Sequence, residues 1–268
     1  MKLSRFAALT SAFFVTSALA LTGASAAASA QLPTATGYVA LGDSYSSGVG
    51  AGSYDSASGS CKRSAKSYPA LWAAAHSPSS FRFTACSGAR TGDVLSSQLG
   101  PLSSTTGLVS ITIGGNDAGF ADTMTTCALQ GESACLARVA QARTYIDNTL
   151  PGRLDGVYSA ISQKAPAARV VVLGYPHFYR LNGTCIAGLS EKSRAAINAA
   201  ADDINGVTAK RAADHGFSFA DVNATFSGHE LCSGSAWLHS VTFPVEESYH
   251  PTAAGQSGGY LPVFASAA

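Results

Sequence analysis

The sequence predicts an α/β domain in which a parallel β-sheet is covered by helices on both faces. Three observations carry that expectation. Short apolar runs lack the polar alternation of a half-exposed strand, as strands buried on both faces do. Segments with apolar residues three to four positions apart lie between those runs. Each long run ends in a polar, Gly-containing turn, and in such sheets ligands gather at the carboxyl ends of the strands.

The elements follow in chain order. Residues 1–30 stand apart from the rest. Lys2 and Arg5 form a basic start, Phe6 to Leu21 is almost wholly apolar or small, and Ala28-Ser29-Ala30 reads as a small-residue cleavage site. That order is the signature of a secretory signal peptide. A membrane anchor is the competing reading, and the absence of a charged stop after the apolar stretch argues against it. The predicted organisation is a leader over 1–30 and one domain over 31–268, since no repeat, charge run or Pro/Gly linker divides the remainder.

Within that domain, Tyr38 to Leu41 reads as the first strand and leads into Gly42-Asp43-Ser44. Tyr68 to His76 is a short helical pattern. Leu108 to Ile113 is the second strand and leads into Gly114-Gly115-Asn116-Asp117. Leu154 to Lys164 is a helix ended by Pro166. Arg169 to Leu173, with three consecutive valines, leads into Gly174-Tyr175-Pro176. Ser190 to His215 is the clearest helix, with Ile197, Ala200, Ala201, Ile204 and Val207 on one face and Gly216 as its stop. Phe217 to Val222 is a weaker fourth strand. Strands alternating with helices predict right-handed crossovers.

Composition narrows the function. Lys plus Arg is 17 and Asp plus Glu is 16, so no basic excess is present to neutralise nucleic-acid phosphates. At 46% hydrophobic the chain is too apolar for a disordered protein. No apolar run of about 20 residues follows the leader, so no integral membrane association is expected. Loss of the leader removes Lys2 and Arg5 and turns the net charge of +1 into −1, which argues against electrostatic capture by anionic membranes.

All six cysteines lie after the leader. An even number in an oxidising compartment implies three disulfides, drawn from fifteen possible connectivities. Sequential pairing closes the shortest loops and is favoured: Cys61–Cys86, Cys127–Cys135 and Cys185–Cys232. No C-x-x-C pair exists, so zinc and redox readings are weak.

Three residues are candidates for chemistry. Ser44 follows a buried strand at once, and Gly42 lets the backbone turn sharply there. A helix starting at this point would aim free N–H groups at a developing anion. Ser also serves as a helix N-cap, the competing role. Asn116 ends another strand, where a side-chain amide can donate to an oxyanion, although Gly-Gly-Asn-Asp is also plain turn chemistry. His250, in Glu246-Glu247-Ser248-Tyr249-His250-Pro251, can act as general base if the fold returns it to Ser44. The other five histidines lack comparable context, and His229-Glu230 does not extend to H-E-x-x-H. Gly255-Gln256-Ser257-Gly258-Gly259 matches the nucleophile elbow of α/β-hydrolases, but no strand precedes it and no His follows it.

Taken together, four ordered blocks resemble the SGNH/GDSL hydrolases. They are Gly42-Asp43-Ser44-Tyr45, Cys86-Ser87-Gly88-Ala89-Arg90-Thr91, Gly114-Gly115-Asn116-Asp117 and His250-Pro251. The six cysteines and the leader look like the secreted Streptomyces-type lipases of that family, whose bridges pair sequentially. The resemblance implies a three-layer α/β/α sandwich with a five-stranded parallel sheet of flavodoxin-like type. It implies Ser44 as nucleophile and His250 as its base. The oxyanion hole would be the backbone N–H groups of Ser44 and Gly88 with the Asn116 side chain, and Asp43 and Asp117 would hold turns.

One position departs from the family pattern. An Asp usually stands three residues before the His, and here that residue is Glu247. The Ser248 main-chain carbonyl is the preferred orienter of His250, with Glu247 as the alternative. A carbonyl fixes the tautomer but stabilises an imidazolium less than a carboxylate does. The implied activity is a secreted, extracellular serine esterase or lipase, acting as a monomer without metal or organic cofactor. It would cleave lipid esters of the triacylglycerol and p-nitrophenyl type, with phospholipid A1 and thioester cleavage within reach of the same machinery. A secreted carbohydrate acetylesterase is the alternative in the same family. A non-catalytic, disulfide-braced binding protein is the reading from another class, and hydrolysis that depends on Ser44 separates it from both.

Overall fold

Five strands run parallel in one sheet. They are β1 (Gly37–Gly42), β2 (Phe81–Phe83), β3 (Thr106–Thr112), β4 (Arg169–Leu173) and β5 (Ser218–Ala220), in the spatial order β2-β1-β3-β4-β5. The computed structural model describes residues 37–185 and 188–268. The expected leader, residues 1–30, lies outside them.

The three long apolar runs become the three central strands. Both faces are buried, Tyr38 to Leu41 in β1 and Val170 to Leu173 in β4 being apolar throughout, while in β3 the buried Ser110 and Thr112 are satisfied by hydrogen bonds to Tyr38 and Ser46. The weaker run at 217–222 forms only the three residues of β5. The edge strand β2 is Phe-Arg-Phe, too short to give a periodic signal.

Nine helices are assigned among the described residues: α1 (Ser44–Ser47), α2 (Tyr68–His76), α3 (Thr91–Asp93), α4 (Phe120–Leu129), α5 (Gly131–Asn148), α6 (Leu150–Lys164), α7 (Glu191–Asp214), α8 (Asn223–Phe226) and α9 (Leu261–Ala267). The expected helix at 190–215 is α7, with Ser190 as its N-cap accepting from the Ser193 N–H. The helix expected from Leu154 starts four residues earlier, at Leu150. Pro151 stands in its first turn, where the missing N–H leaves nothing unpaired. α5, not among the expected elements, buries Cys135, Val139, Ala142 and Ile146 at helical spacing.

The helices pack in two groups. α2 and α9 lie together, with α9 against β4 and β5, while α4, α5, α6 and α7 pack on one another with α7 also against β4 and β5. Each fully buried Leu or Ile of this core contributes about 1.5–3 kcal/mol. The three sequential disulfides are present, Cys127–Cys135 joining α4 to α5. No helix among the described residues is long and apolar enough to cross a membrane.

The G-x-S-x-G segment is helical turn leading into α9, not a strand-to-helix elbow. A Cβ on Gly258 would overlap the Trp237 ring, and one on Gly259 would overlap Phe226. These glycines let aromatic rings approach the backbone.

Candidate active site

The strand order reverses next to β1: the chain passes from β1 to β2 on one side, then returns to place β3 on the other. A crevice forms at the carboxyl ends of strands where an open α/β sheet reverses its order. Asp43 and Ser44 follow β1, and Gly114 to Asp117 follow β3, so both turns face that crevice.

The turn after β1 is tied down by buried polar groups. Gly42 has φ +121°, and a Cβ there would collide with the backbone of Thr112, so this position requires glycine. Gln98 clasps Gly42 from both sides, accepting from its N–H at 2.7 Å and donating to its carbonyl at 2.9 Å. Asp43, not Ser44, is the N-cap of α1, with Oδ1 accepting from the Tyr45 N–H at 3.0 Å. Ser44 is thereby freed from capping, and its N–H sits in the first turn, where it has no intrahelical acceptor. Asp43 also accepts from Thr112 Oγ1 at 2.6 Å and from Tyr175 Oη at 2.5 Å. Burial pushes its pKa up to about 6 despite these donors. Tyr175 Oη in turn accepts from the Gly115 N–H at 3.1 Å, so one hydroxyl links the turn after β1 to the turn after β3.

His250 is brought to this turn from the other end of the chain. Its Nε2 lies 2.7 Å from Ser44 Oγ, and its Nδ1 lies 3.0 Å from the Ser248 carbonyl oxygen. Both side chains are buried. Desolvation holds the imidazole pKa down at about 4, so the ring is neutral near pH 7. Glu247 does not reach the imidazole; its carboxylate accepts from the Tyr54 hydroxyl at 2.7 Å. Tyr45 Oη donates to the Tyr249 carbonyl at 2.8 Å, tying α1 directly to the histidine segment.

Gly88 and Asn116 line the same cleft as Ser44 and His250. Gly88 has φ +76° with open space where a Cβ would stand, so its backbone faces the cleft unobstructed. Its N–H has no protein acceptor among the described residues. Asn116 Nδ2 donates to the Ala89 carbonyl at 3.0 Å and has a second N–H to offer. Asp117 accepts from the Thr91 N–H and hydroxyl, which fastens the 87–91 segment to the turn after β3. The structure thus brings Ser44, His250, Ser248, Gly88 and Asn116 together, and leaves Glu247 outside. Tyr45, Gln98 and Tyr175 support the site through buried polar tips, a role that no local sequence pattern marks.

The cleft has a volume of about 450 Å³, and Phe120, Met124, Ala128, Leu129 and Val241 form its apolar side. Behind Phe120 and Met124 lies a smaller apolar cavity of about 70 Å³ that also touches Ser44 and Asn116. Such a site can hold a carbonyl group between a nucleophile and N–H donors, with hydrocarbon along one wall.

Comparison with known proteins agrees with this geometry. Residues 40–257 match the model of the GDSL-like Lipase/Acylhydrolase family. A lipase of Streptomyces rimosus is 76% identical over 267 residues, covering 100% of both chains. The crystal structure of an extracellular lipase from Streptomyces rimosus superposes with a TM-score of 0.86 at 78% identity, covering 87% of this chain and 100% of that one. The crystal structure of phospholipase A1 from Streptomyces albidoflavus also gives a TM-score of 0.86, at 68% identity and the same coverage.

Proposed function

The chain belongs to the GDSL-like lipase/acylhydrolase family and is a carboxylic ester hydrolase, and from that premise we propose that Ser44 is its nucleophile and His250 its general base. The observation that carries this reading is the 2.7 Å contact between His250 Nε2 and Ser44 Oγ at the floor of an apolar cleft. Ser44 Oγ attacks the ester carbonyl as Nε2 takes its proton, and the ring then protonates the leaving alcohol. The acyl-enzyme is released by a water that His250 deprotonates in turn.

The N–H groups of Ser44 and Gly88 and the free N–H of Asn116 bind the oxyanion. One such donor is worth about 10²–10³ in rate. The Ser248 carbonyl holds Nδ1–H and so fixes the tautomer that leaves Nε2 free to accept. Among the described residues no carboxylate bonds to the His250 ring, so the oxyanion opposite it carries more of the stabilisation.

The substrates are lipid esters. An apolar wall beside the dyad receives the acyl chain, and triacylglycerols, p-nitrophenyl esters and the A1 ester of phospholipids present the carbonyl in the same way. Likeness to a phospholipase A1 supports the last of these. The enzyme is exported, as its 78% identical relative, an extracellular lipase, supports. Three disulfides fit an oxidising compartment.

Hydrolysis of p-nitrophenyl esters of about two to sixteen acyl carbons, with Ser44→Ala alongside, tests the proposal. A maximum at about eight carbons or longer is expected, together with loss of activity by about 10⁴-fold or more in the variant. A sharp maximum at acetate would redirect the reading to a carbohydrate acetylesterase. Undiminished hydrolysis by Ser44→Ala would overturn the nucleophile assignment.

A further inference from the structure

We infer that the segment from Val241 to Val245, with Leu129 opposite it, is the surface on which the enzyme settles onto an uncharged lipid–water interface. Large exposed hydrophobic side chains are few among the described residues, and four of them gather here: Leu129 at 77% exposure, Val241 at 60%, Phe243 at 91% and Val245 at 65%. Single exposed apolar residues need no explanation, but a cluster at the mouth of a cleft does. Leu129, Val241 and Val245 line the cleft that holds Ser44 and His250, and Phe243 stands between the two valines.

The occupant follows from continuity and from charge. The cleft receives an ester whose hydrocarbon must leave an aggregate to reach Ser44, so the apolar rim extends the substrate path outward. This inference therefore rests on the lipid-ester reading above. The acidic pair beside the rim is already engaged, Glu246 with Lys62 and Glu247 with Tyr54. Lys62, the cation beside that pair, is itself neutralised by Glu246, so the hydrophobic side chains of the segment favour a neutral surface. Thr242 donates its N–H to Ser248 Oγ at 3.0 Å, so the segment is braced against the residue whose carbonyl holds His250. Insertion of Phe243 into the headgroup layer would turn the cleft mouth toward the lipid.

The test compares Phe243→Ser and Phe243→Trp with the parent chain, each also carrying Ser44→Ala when vesicles are present so that no lipid is consumed. The parent chain is expected to co-sediment with phosphatidylcholine vesicles, and Phe243→Ser to lose roughly ten- to a hundredfold in partitioning, the range expected from exposing a phenylalanine. The Phe243→Trp chain should show a vesicle-dependent blue shift of emission beyond that of Trp72 and Trp237. With Ser44 intact, Phe243→Ser should hydrolyse dissolved p-nitrophenyl butyrate at the parent rate and emulsified long-chain ester roughly tenfold more slowly. Equal partitioning of parent and Phe243→Ser would overturn the inference, as would a parent dimer in sedimentation that Phe243→Ser dissociates, since a second copy would then cover the patch. If the parent cleaves dissolved acetate esters but neither butyrate nor emulsified long-chain ester, it is the lipid-ester reading that has failed.

Discussion

Ser44 and His250 lie within one hydrogen bond of each other, yet the chain around them is built in two different ways. The serine stands on a turn where Gln98, Thr112, Tyr68 and Tyr175 close a buried net around Gly42, Asp43 and Ser46, anchored on the last residue of β3. The histidine stands on an irregular segment held by backbone bonds of His239 with Tyr249 and His250 and by single side-chain ties from Tyr45 and Tyr54, and its outer side carries exposed Val241, Phe243 and Val245. A nucleophile must meet a carbonyl at fixed geometry, and a rigid net supplies that. A base needs one nitrogen aimed and one proton held, which a single carbonyl can do.

Three perturbations sharpen that contrast. The largest effect falls on the histidine side. His250→Ala should lower kcat by about 10⁴–10⁶-fold, near the effect of removing the nucleophile itself, because the two act as one unit. In the parent enzyme, kcat/KM should fall tenfold per pH unit as pH drops through about 4, because the depressed pKa keeps the imidazole neutral down to that value. The same depression makes the fold lose stability as pH falls from about 6.5 toward 4, since the unfolded histidine takes up its proton first. An acid limb centred near 6.5 would show that the imidazole is solvated in solution.

A middle-sized effect tests the serine side. Tyr175→Phe removes one donor to Asp43 and the acceptor of the Gly115 N–H. Thermal unfolding should report a loss of about 1–3 kcal/mol from the unpaired buried groups. The rate constant kcat should fall by about tenfold through displacement of the two turns, equivalent to about 1.4 kcal/mol. Unchanged stability and rate would mean that the net is redundant there.

The smallest effect distinguishes the two candidate orienters. Glu247→Gln should change kcat by less than about threefold, since the carboxylate contacts Tyr54 and not the imidazole. A loss approaching the roughly 10⁴-fold seen when a triad carboxylate is neutralised would assign Glu247, not the Ser248 carbonyl, as the group that holds Nδ1.

The same contrast explains what could be read from the chain. The central strands were legible because burial on both faces leaves uninterrupted apolar runs, as at Arg169–Leu173. The turns after β1 and β3 were legible because glycine and short polar residues cluster where a strand ends. The edge strand β2 was not, because three residues cannot display a period. Nor were Gln98, Tyr175 and the bond from Tyr45 to the Tyr249 carbonyl, which join side chains to backbone across 56, 60 and 204 positions. Such bonds leave no local pattern. The preference for Ser248 over Glu247 as the histidine's partner rests on family resemblance alone for a related reason: a main-chain carbonyl is present at every position and carries no residue signature.

The bond between Ser44 Oγ and His250 Nε2 spans 206 positions, nearly the whole length of the folded domain. Closing so distant a contact is entropically the last thing a refolding chain can be rewarded for. The strands β1, β3 and β4 must be aligned, and the segment beyond Leu238 laid across their ends, before the two side chains can meet. Hydrolytic competence is therefore acquired at the end of assembly. A nascent chain still missing its final twenty residues lacks His250, so it has no working centre however much of the sheet has formed.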